Sequence, residues 1–178
     1  MILSDSKILE CINNKDIVIE PFDRNKLGSN SYDVCLSEFL AVYIDPELDA
    51  KKHNKIHHFR IPQKGYVLVP GELYLGATVE YTETHKHLPV LDGKSSVGRL
   101  GIDIHATAGI GDVGFCGYWT LELSVSKPVR VYPGMPIGQI IYHTVEGDVI
   151  NPYDKKSDAK YSKQEHKPVE SMMWKNKF

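Results

Sequence analysis

The sequence predicts a domain dominated by β-strands, arranged as a sandwich or a distorted barrel. Ten short segments rich in Val, Ile, Tyr and Thr lie between residues 17 and 145. Gly, Pro, Asn and Asp separate these segments, as they separate strands in antiparallel sheets. No long helical period interrupts them. Many short strands at close spacing are typical of β-sandwiches and β-barrels.

One short helix precedes the predicted strands. Ser4 can cap its N-terminus, and Asp5 then lies in the first turn, where a negative charge suits the helix dipole. The helix continues with an apolar face and ends at a polar pair. The face is formed by Ile8, Leu9 and Ile12, and the end by Asn13 and Asn14.

The predicted strands follow in chain order, each bounded by turn-forming residues. They are IVIEP, SYDVCL, FLAVYI, KIHHFRI, GYVLVP, ELYLGATVEY, GIDIHAT, YWTLELSV, VRVYP and IGQIIYHTV. The stretch YTETHKHLPV, by contrast, is interpreted as a polar turn.

Composition and charge exclude several classes of function. The 178 residues are 42% hydrophobic and 25% charged, which is enough apolar material for one sizeable core. A net charge of −2 gives no general attraction to nucleic acid or to an anionic membrane. No apolar run approaches the ~18 residues that span a bilayer, and MILSDSKILE lacks the pattern of a signal peptide. The three cysteines are an odd number and are expected to be reduced thiols, so we expect a cytoplasmic protein.

The segment from Asn151 onward differs in composition from the rest of the chain. It is polar, Lys-rich and poor in aliphatic residues, as frayed termini often are. Tyr153, Tyr161 and Trp174 are aromatic residues that a purely solvated tail does not need, and a segment that orders on a ligand has the same pattern. We therefore divide the chain into a β-barrel domain, residues 1–150, and a flexible C-terminal lid or tail, residues 151–178.

The histidines do not predict a zinc site. His85 and His87 would share one face of a strand, but no matching Glu and His follow, which favours surface histidines. His53, His57 and His58 lie among lysines and are interpreted as part of a solvated basic loop. The zinc deaminase signature is absent, and no two cysteines have C-x-x-C spacing. We expect no zinc and no protein-bound metal.

The stretch DGKSSVGRLG, residues 92–101, predicts a site for a phosphorylated ligand. Its glycines let the backbone approach a ligand, its serines offer hydroxyls and its cations offer charge. A serine nucleophile is not favoured because G-x-S-x-G is absent, and the Walker spacing is absent too. A Gly/Ser turn with solvated cations would give the same pattern. The residues concerned are Gly93, Lys94, Ser95, Ser96, Gly98 and Arg99.

Residues 108–117 and the strand after them form a second candidate site. Four glycines here surround one acid and one ring, Asp112 and Phe115. A hairpin explains the glycines, whereas a pocket for a base and a sugar also explains the acid and the ring. In YWTLELS, Leu121 and Leu123 alternate with Glu122, so Glu122 points away from the leucines. It is either an ordinary outward carboxylate or a base in a pocket.

At these residues the sequence resembles the dCTP deaminase branch of the trimeric dUTPase superfamily, over nearly the whole chain. Residues 94–96 match a basic residue with two serines, and residues 108–117 match A-G-x-x-D-x-G-[FY]-x-G. Residues 105–108 match the H-x-T-A box, and Glu122 matches the acid of T-L-E. Two features depart from the pattern: G-D-V stands where relatives often have I-D-P, and the glycine-rich C-terminal motif of dUTPases is absent. Further matches are MILSD at the start, Ile137-Gly138-Gln139, Tyr153 and Lys160-Tyr161.

The resemblance implies a dUTPase-like barrel of the jelly-roll type and a homotrimer with active sites between subunits. It implies that Glu122 is the general base for a water that attacks C4 of cytosine, with Ser95, Arg99 and the Ala108 backbone beside it. Asp112 would bind the 3′-hydroxyl and Phe115 would pack on the deoxyribose. The further substrate-binding residues would be Lys94, Ser96, Gln139, Tyr153, Lys160, Tyr161 and Gln164.

The resemblance also implies the ligands and leaves alternatives for the reaction. The nucleotides would be dCTP, dUTP and dTTP, with Mg²⁺ on the triphosphate and no nucleic acid or membrane as partner. The expected reaction is deamination of dCTP to dUTP and ammonia. A bifunctional enzyme that continues to dUMP and pyrophosphate is the first alternative, since Gly109 occurs in such relatives and Asp112 can activate a second water. A non-catalytic nucleotide-binding barrel is the second, and a cupin-like metal enzyme is the third.

Overall fold

The computed structural model describes residues 1–161 and 164–178. Within these ranges the chain forms two α-helices and twelve strands, with short 3-10 turns at 24–26, 153–155 and 173–175. The helices are α1 (Asp5–Asn13) and α2 (Ser95–Gly98). The strands are β1 (Ile17–Glu20), β2 (Tyr32–Tyr43), β3 (Ile56–Arg60), β4 (Tyr66–Leu68), β5 (Tyr74–Thr78), β6 (Tyr81–Thr84), β7 (His87–Gly93), β8 (Ile102–Asp103), β9 (Cys116–Gly117), β10 (Thr120–Val125), β11 (Val129–Val131) and β12 (Pro136–Thr144).

The strands pair antiparallel in three sheets, which confirms the predicted β-barrel class. The largest sheet has seven strands, in the order β7-β12-β2-β5-β10-β8, with β3 paired to β2. A three-stranded sheet runs β1-β6-β9, and β11 pairs with β4. Aliphatic and aromatic side chains between the sheets form one core, with Tyr32, Leu36, Leu121 and Ile140 fully buried. Neither described α-helix has the length and hydrophobicity that a bilayer crossing requires.

The predicted N-terminal helix is confirmed, including its cap. The Ser4 hydroxyl accepts from the Lys7 N–H at 3.4 Å, and α1 ends at Asn13. Ile8 and Cys11 are the buried residues of its apolar face.

The stretch YTETHKHLPV was wrongly assigned to a turn, because it forms β6 and β7. Its polarity is misleading, since Thr82 and Thr84 are buried. The indole N–H of Trp119 donates to the Thr82 hydroxyl at 2.9 Å, so this buried hydroxyl has a partner. The segments SYDVCL and FLAVYI, predicted as separate strands, are one long strand, β2.

An ion pair between partly buried Lys26 and fully buried Glu80 joins the 3-10 turn at 24–26 to the turn before β6. Glu80 is fully buried, and its Oε1 contacts Lys26 Nζ at 2.7 Å. Its Oε2 accepts from the Cys35 N–H at 2.8 Å. Burial opposes the charge on Lys26, but the hydrogen bond to Glu80 outweighs it and raises the pKa of Lys26 above its ordinary value.

The C-terminal segment lies against the barrel through single hydrogen bonds. His58 Nε2 contacts the Pro168 carbonyl at 2.8 Å, and the Ser171 N–H donates to the Tyr43 hydroxyl at 3.0 Å. The division of the chain at residue 150 and the lid behaviour of the tail stay predictions.

The predicted exposed basic loop is confirmed for His53, which lies in the turn before β3, but it is wrong for His57 and His58. His57 and His58 lie in β3, opposite β2. His53 contacts the Glu170 carboxylate at 2.6 Å, and its ring centroid lies 5.5 Å from that of Trp174. His53 and His58 therefore contact the tail, whereas His57 is exposed on β3.

Candidate active site

One cavity of about 530 Å³ lies between β10, the segment 105–119 and the C-terminal tail. Several residues predicted for the site line it. They are Ala108, Asp112, Phe115, Glu122, Tyr153, Tyr161 and Gln164. His105, Thr120 and Trp119 line it as well. The structure thus brings together the acid, the ring and the tail aromatics that the sequence placed up to 50 residues apart.

Glu122 is held in the cavity wall by the strand pairing of β10. Leu121 and Leu123 are fully buried, so the alternation predicted for this strand is confirmed. The Glu122 N–H donates to the Ile104 carbonyl at 2.9 Å, which fixes its backbone against the segment after β8. Its side chain keeps 35% of its surface exposed and therefore remains accessible from the cavity.

His105 is the direct partner of Glu122. Its Nδ1 lies 2.5 Å from Glu122 Oε2, and its side chain is only 8% exposed. A carboxylate can only accept, so Nδ1 carries the proton of this bond. Its Nε2 is buried and has no hydrogen-bond partner among the described residues. The sequence motif contains His105, but nothing in its spacing to residue 122 identified the contact.

Gly109 and Gly111 allow a close approach of this segment to β7. The Leu91 N–H donates to the Gly109 carbonyl at 2.7 Å, and the Gly111 N–H donates to the Pro89 carbonyl at 2.8 Å. A Cβ on Gly109 would lie 2.5 Å from the Leu91 carbonyl oxygen. The segment is therefore fixed against β7, which sets the position of the cavity wall.

Asp112 and Phe115 face the same cavity in different ways. Asp112 is exposed, and its Oδ2 lies 3.1 Å from Lys156 Nζ. Phe115 is buried, with its ring 4.7 Å from that of Trp119 and 6.0 Å from that of Tyr153. The cavity wall thus offers a carboxylate at Asp112 and an aromatic surface at Phe115.

Hydrogen bonds within the tail fix two tyrosines that line the cavity, Tyr153 and Tyr161. The Tyr161 N–H donates to the Tyr153 hydroxyl at 2.9 Å, and the Met172 N–H donates to the Tyr161 hydroxyl at 2.9 Å. The Thr120 hydroxyl donates to Gln164 Oε1 at 3.0 Å. Thr120, which precedes Glu122 by two residues in β10, therefore links this strand to the tail.

Lys160 lies next to the main cavity rather than in its wall. It lines a smaller cavity of about 300 Å³, which shares Tyr153 and Tyr161 with the main one. Its ammonium donates to the Asn176 side chain.

Two titratable groups of the cavity wall have shifted pKa values. Burial raises the pKa of Tyr43, so its hydroxyl stays protonated over the neutral range. Burial opposes ionisation of Glu170, but the hydrogen bond with His53 outweighs it and lowers the pKa of Glu170. Glu170 is therefore an anion paired with His53.

The other predicted residues form a separate group around α2, outside the wall of the main cavity. Ser95, Ser96 and Arg99 are exposed on this short helix. Lys94 Nζ contacts Asp33 Oδ2 at 2.5 Å, and Gln139 Nε2 donates to the Gly93 carbonyl at 3.0 Å. A single chain therefore places the predicted phosphate-binding residues apart from the predicted base.

A family model and several known proteins are similar to this chain, in agreement with the motifs. The dCTP deaminase-like family model matches residues 2–145. The "dCTP deaminase, dUMP-forming" of Cytophaga hutchinsonii is 49% identical over 177 residues, covering 99% of this chain and 98% of that protein. The protein of the same name from Clostridium acetobutylicum is 50% identical over 177 residues, with the same coverage.

A solved structure, the 2′-deoxycytidine 5′-triphosphate deaminase from Agrobacterium tumefaciens, has the same fold. It superposes with a TM-score of 0.65 at 21% identity, over 81% of this chain. The match covers 48% of that chain, so this chain spans about half of its length. The resemblance inferred from the motifs is confirmed, and the chain belongs to the dCTP deaminase-like family.

Proposed function

We propose that this protein hydrolyses the amino group of dCTP and then cleaves the resulting uracil nucleotide to dUMP and pyrophosphate. The observation that carries the proposal is the Glu122–His105 pair, with its 2.5 Å contact, in the wall of a cavity large enough for a nucleoside. The dUMP-forming names of relatives at 49% and 50% identity favour the bifunctional alternative over the dUTP-forming reaction expected from the motifs.

In the first step, Glu122 acts as general base and acid. It takes a proton from water as the oxygen adds to C4 of cytosine, and passes that proton to N3. It then transfers the second proton of the same oxygen to the amino group, which leaves as ammonia while C4 becomes a carbonyl. A positioned acid–base group of this kind contributes ~10²–10⁴-fold to the rate. Holding water and base in register supplies much of the remainder.

His105 orients the carboxylate for this role. Its Nδ1–H binds Oε2 of Glu122, which leaves Oε1 to receive the proton from water. Because His105 is nearly buried, its ring has few alternative positions and holds Glu122 in one rotamer. Ser95, Arg99 and the Ala108 backbone are proposed to hold the attacking water and the amino group.

In the second step, water attacks the α-phosphorus of the uracil nucleotide and pyrophosphate leaves. We assign activation of this water to Asp112, whose carboxylate lines the same cavity. Asp112 also accepts from the 3′-hydroxyl, and Phe115 packs on the deoxyribose. Mg²⁺ arrives with the triphosphate as part of the substrate, and neither hydrolysis uses zinc. We place this activity in the cytoplasm, where the buried thiols of Cys11 and Cys35 stay reduced.

The active site is proposed to be completed by a second copy of the chain in a homotrimer. The support is the separation of the predicted residues into a cavity group with Glu122 and an exposed group on α2 with Arg99. In a closed ring, α2 of one subunit faces the cavity of the next, so every site receives both groups. Lys94, Ser96 and Gln139 then bind the triphosphate together with Lys160 and Tyr161.

Mixing two inactive variants tests this arrangement. Glu122→Gln and Arg99→Ala chains, each inactive alone, should regain deamination after joint refolding, because some sites combine an intact Glu122 with an intact Arg99. Random assembly at equal amounts gives about a quarter of wild-type sites. Ammonia release from dCTP measures the recovery. Mixtures no more active than their components would contradict a shared site.

Product analysis tests the proposed function as a whole. The purified protein, incubated with dCTP and Mg²⁺, should release ammonia and pyrophosphate in equal amounts, with dUMP as the nucleotide product. Accumulation of dUTP without pyrophosphate would restrict the enzyme to the first step. Binding of dCTP without any product would favour the non-catalytic nucleotide-binding barrel.

A further inference from the structure

The pairing of β6 with β9 brings three metal-ligating side chains together on the three-stranded sheet. Glu83 and Cys116 are directly opposed in this pair, so their side chains lie on the same face. His85 follows Glu83 by two residues and turns its ring back towards it. One carboxylate oxygen, one ring nitrogen and the sulfur lie within 4.8 Å of one another. His87, which the sequence pattern places on the same strand face as His85, instead has its Nε2 3.3 Å from Cys11 Sγ.

Hydrogen bonds already orient the three side chains. The Tyr81 hydroxyl donates to Glu83 Oε1 at 2.8 Å, and Glu83 Oε2 lies 2.9 Å from His85 Nε2. The Cys116 thiol donates to the Gly114 carbonyl at 3.6 Å. Glu83 and Cys116 are half-buried whereas His85 is exposed, so an ion can enter from the side of His85.

We propose that Glu83, His85 and Cys116 form a zinc-binding site. Thiolate, imidazole and carboxylate together are a donor set for Zn²⁺, which binds them at ~2.0–2.3 Å, whereas Mg²⁺ and Ca²⁺ prefer oxygen alone. Ligand atoms around a tetrahedral zinc lie ~3–4 Å apart, so small side-chain rotations from the present positions suffice. The fourth position is taken by water. Binding releases the thiol proton to solvent, and a neutral His85 ring carries its proton on Nδ1 so that Nε2 is free for the ion.

Tyr81 is the outer-shell partner that such sites require. Its hydroxyl fixes one carboxylate oxygen of Glu83 and leaves Oε2 for the ion. The ring of Tyr81 is itself held against Tyr118, with centroids 5.6 Å apart. The packing of Tyr81 against Tyr118 therefore helps to hold Glu83 in position.

The proposed zinc is structural and lies outside the reaction. Neither Glu83 nor Cys116 lines the main cavity. Two backbone hydrogen bonds connect the site to the cavity wall, from the Gly114 N–H to the Thr84 carbonyl at 2.6 Å and from the Thr84 N–H to the Phe115 carbonyl at 3.0 Å. An ion bridging β6 and Cys116 therefore braces the segment that carries Phe115.

Metal titration of the full-length protein tests the site. Metal-free protein is titrated with Zn²⁺ against a chromophoric chelator, and with Co²⁺ as a spectroscopic probe. We expect one zinc per chain, a higher melting temperature with added Zn²⁺, and a thiolate-to-cobalt charge-transfer band in the near ultraviolet. Cys116→Ser should abolish that band, and both Cys116→Ser and His85→Ala should weaken zinc binding at least ~10-fold.

Two further variants make the test specific. Tyr81→Phe should weaken zinc binding by ~10-fold while keeping the cobalt band, since it removes only the support of Glu83. His57→Ala removes an exposed histidine on β3, away from the cluster, and should change neither measurement. The proposal is overturned if the wild type binds no stoichiometric zinc, or if His85→Ala and Cys116→Ser bind it as the wild type does. Because His85 is exposed, its variant tests the site even if the cysteine variant folds poorly.

Discussion

Replacing Glu122 with glutamine should lower kcat for deamination of dCTP by ~10²–10⁴-fold. The amide keeps the shape of the side chain and can still contact His105, but it cannot take a proton from water. Binding of dCTP should change by only a few-fold, because Glu122 acts on the water and not on the triphosphate. Ammonia release under saturating dCTP measures kcat, and calorimetric titration with dCTP measures binding.

Glu38→Gln is the matched control for this substitution. Glu38 lies in β2, pairs with Arg60 at 3.2 Å and is absent from the wall of the main cavity. The same chemical change there should leave kcat unaltered. A Glu122→Gln enzyme with the turnover of the wild type would remove Glu122 from the reaction and with it the proposed mechanism.

Replacing Glu80 with glutamine should destabilise the folded chain by about 3 kcal/mol. The substitution removes the fully buried carboxylate that compensates Lys26, whose side chain is only 25% exposed, and a largely desolvated cation without its partner is costly. At this chain length such a loss corresponds to a fall in melting temperature of roughly 6–12 °C. Urea unfolding and calorimetry measure both quantities. Protein concentration must be equal for both proteins, because the proposed assembly into a trimer would also stabilise the fold.

Glu10→Gln provides the comparison on the surface. Its partner Lys7 lies at 2.6 Å in α1, but both side chains are largely exposed. Exposed ion pairs contribute little because solvent screens them, so the melting temperature should hardly change. Equal stabilities of the Glu80→Gln variant and the wild type would show that the Lys26–Glu80 pair is dispensable.

Local patterns were sufficient to predict that Glu122 points away from the buried leucines of its strand. The alternation in β10 depends only on neighbouring residues, and burial of Leu121 and Leu123 bears it out. Phe115 and Asp112 were identified because a hairpin explains the glycines around them but does not explain an acid and an aromatic ring at that turn. These features are encoded within about ten residues, where sequence periodicity and turn chemistry are informative.

Contacts between distant segments were not predictable in the same way. The Glu122–His105 pair depends on β10 pairing with the segment after β8, which no spacing in the sequence reveals. The assignment of YTETHKHLPV to a turn failed because buried threonines look polar until their partners are known. The cluster of Glu83, His85 and Cys116 likewise exists only through the β6–β9 register.

The way the tail is fastened bears on how fast the enzyme can turn over. Single hydrogen bonds from Tyr43, His58 and Thr120 hold a segment that also forms one side of the cavity. If the tail acts as the predicted lid, nucleotide and product pass only when these contacts and the His53–Glu170 pair release, and their exchange is then a kinetic step distinct from proton transfer. Under the proposed mechanism, substitutions in residues 164–171 would then change the rate of this exchange without altering proton transfer at Glu122.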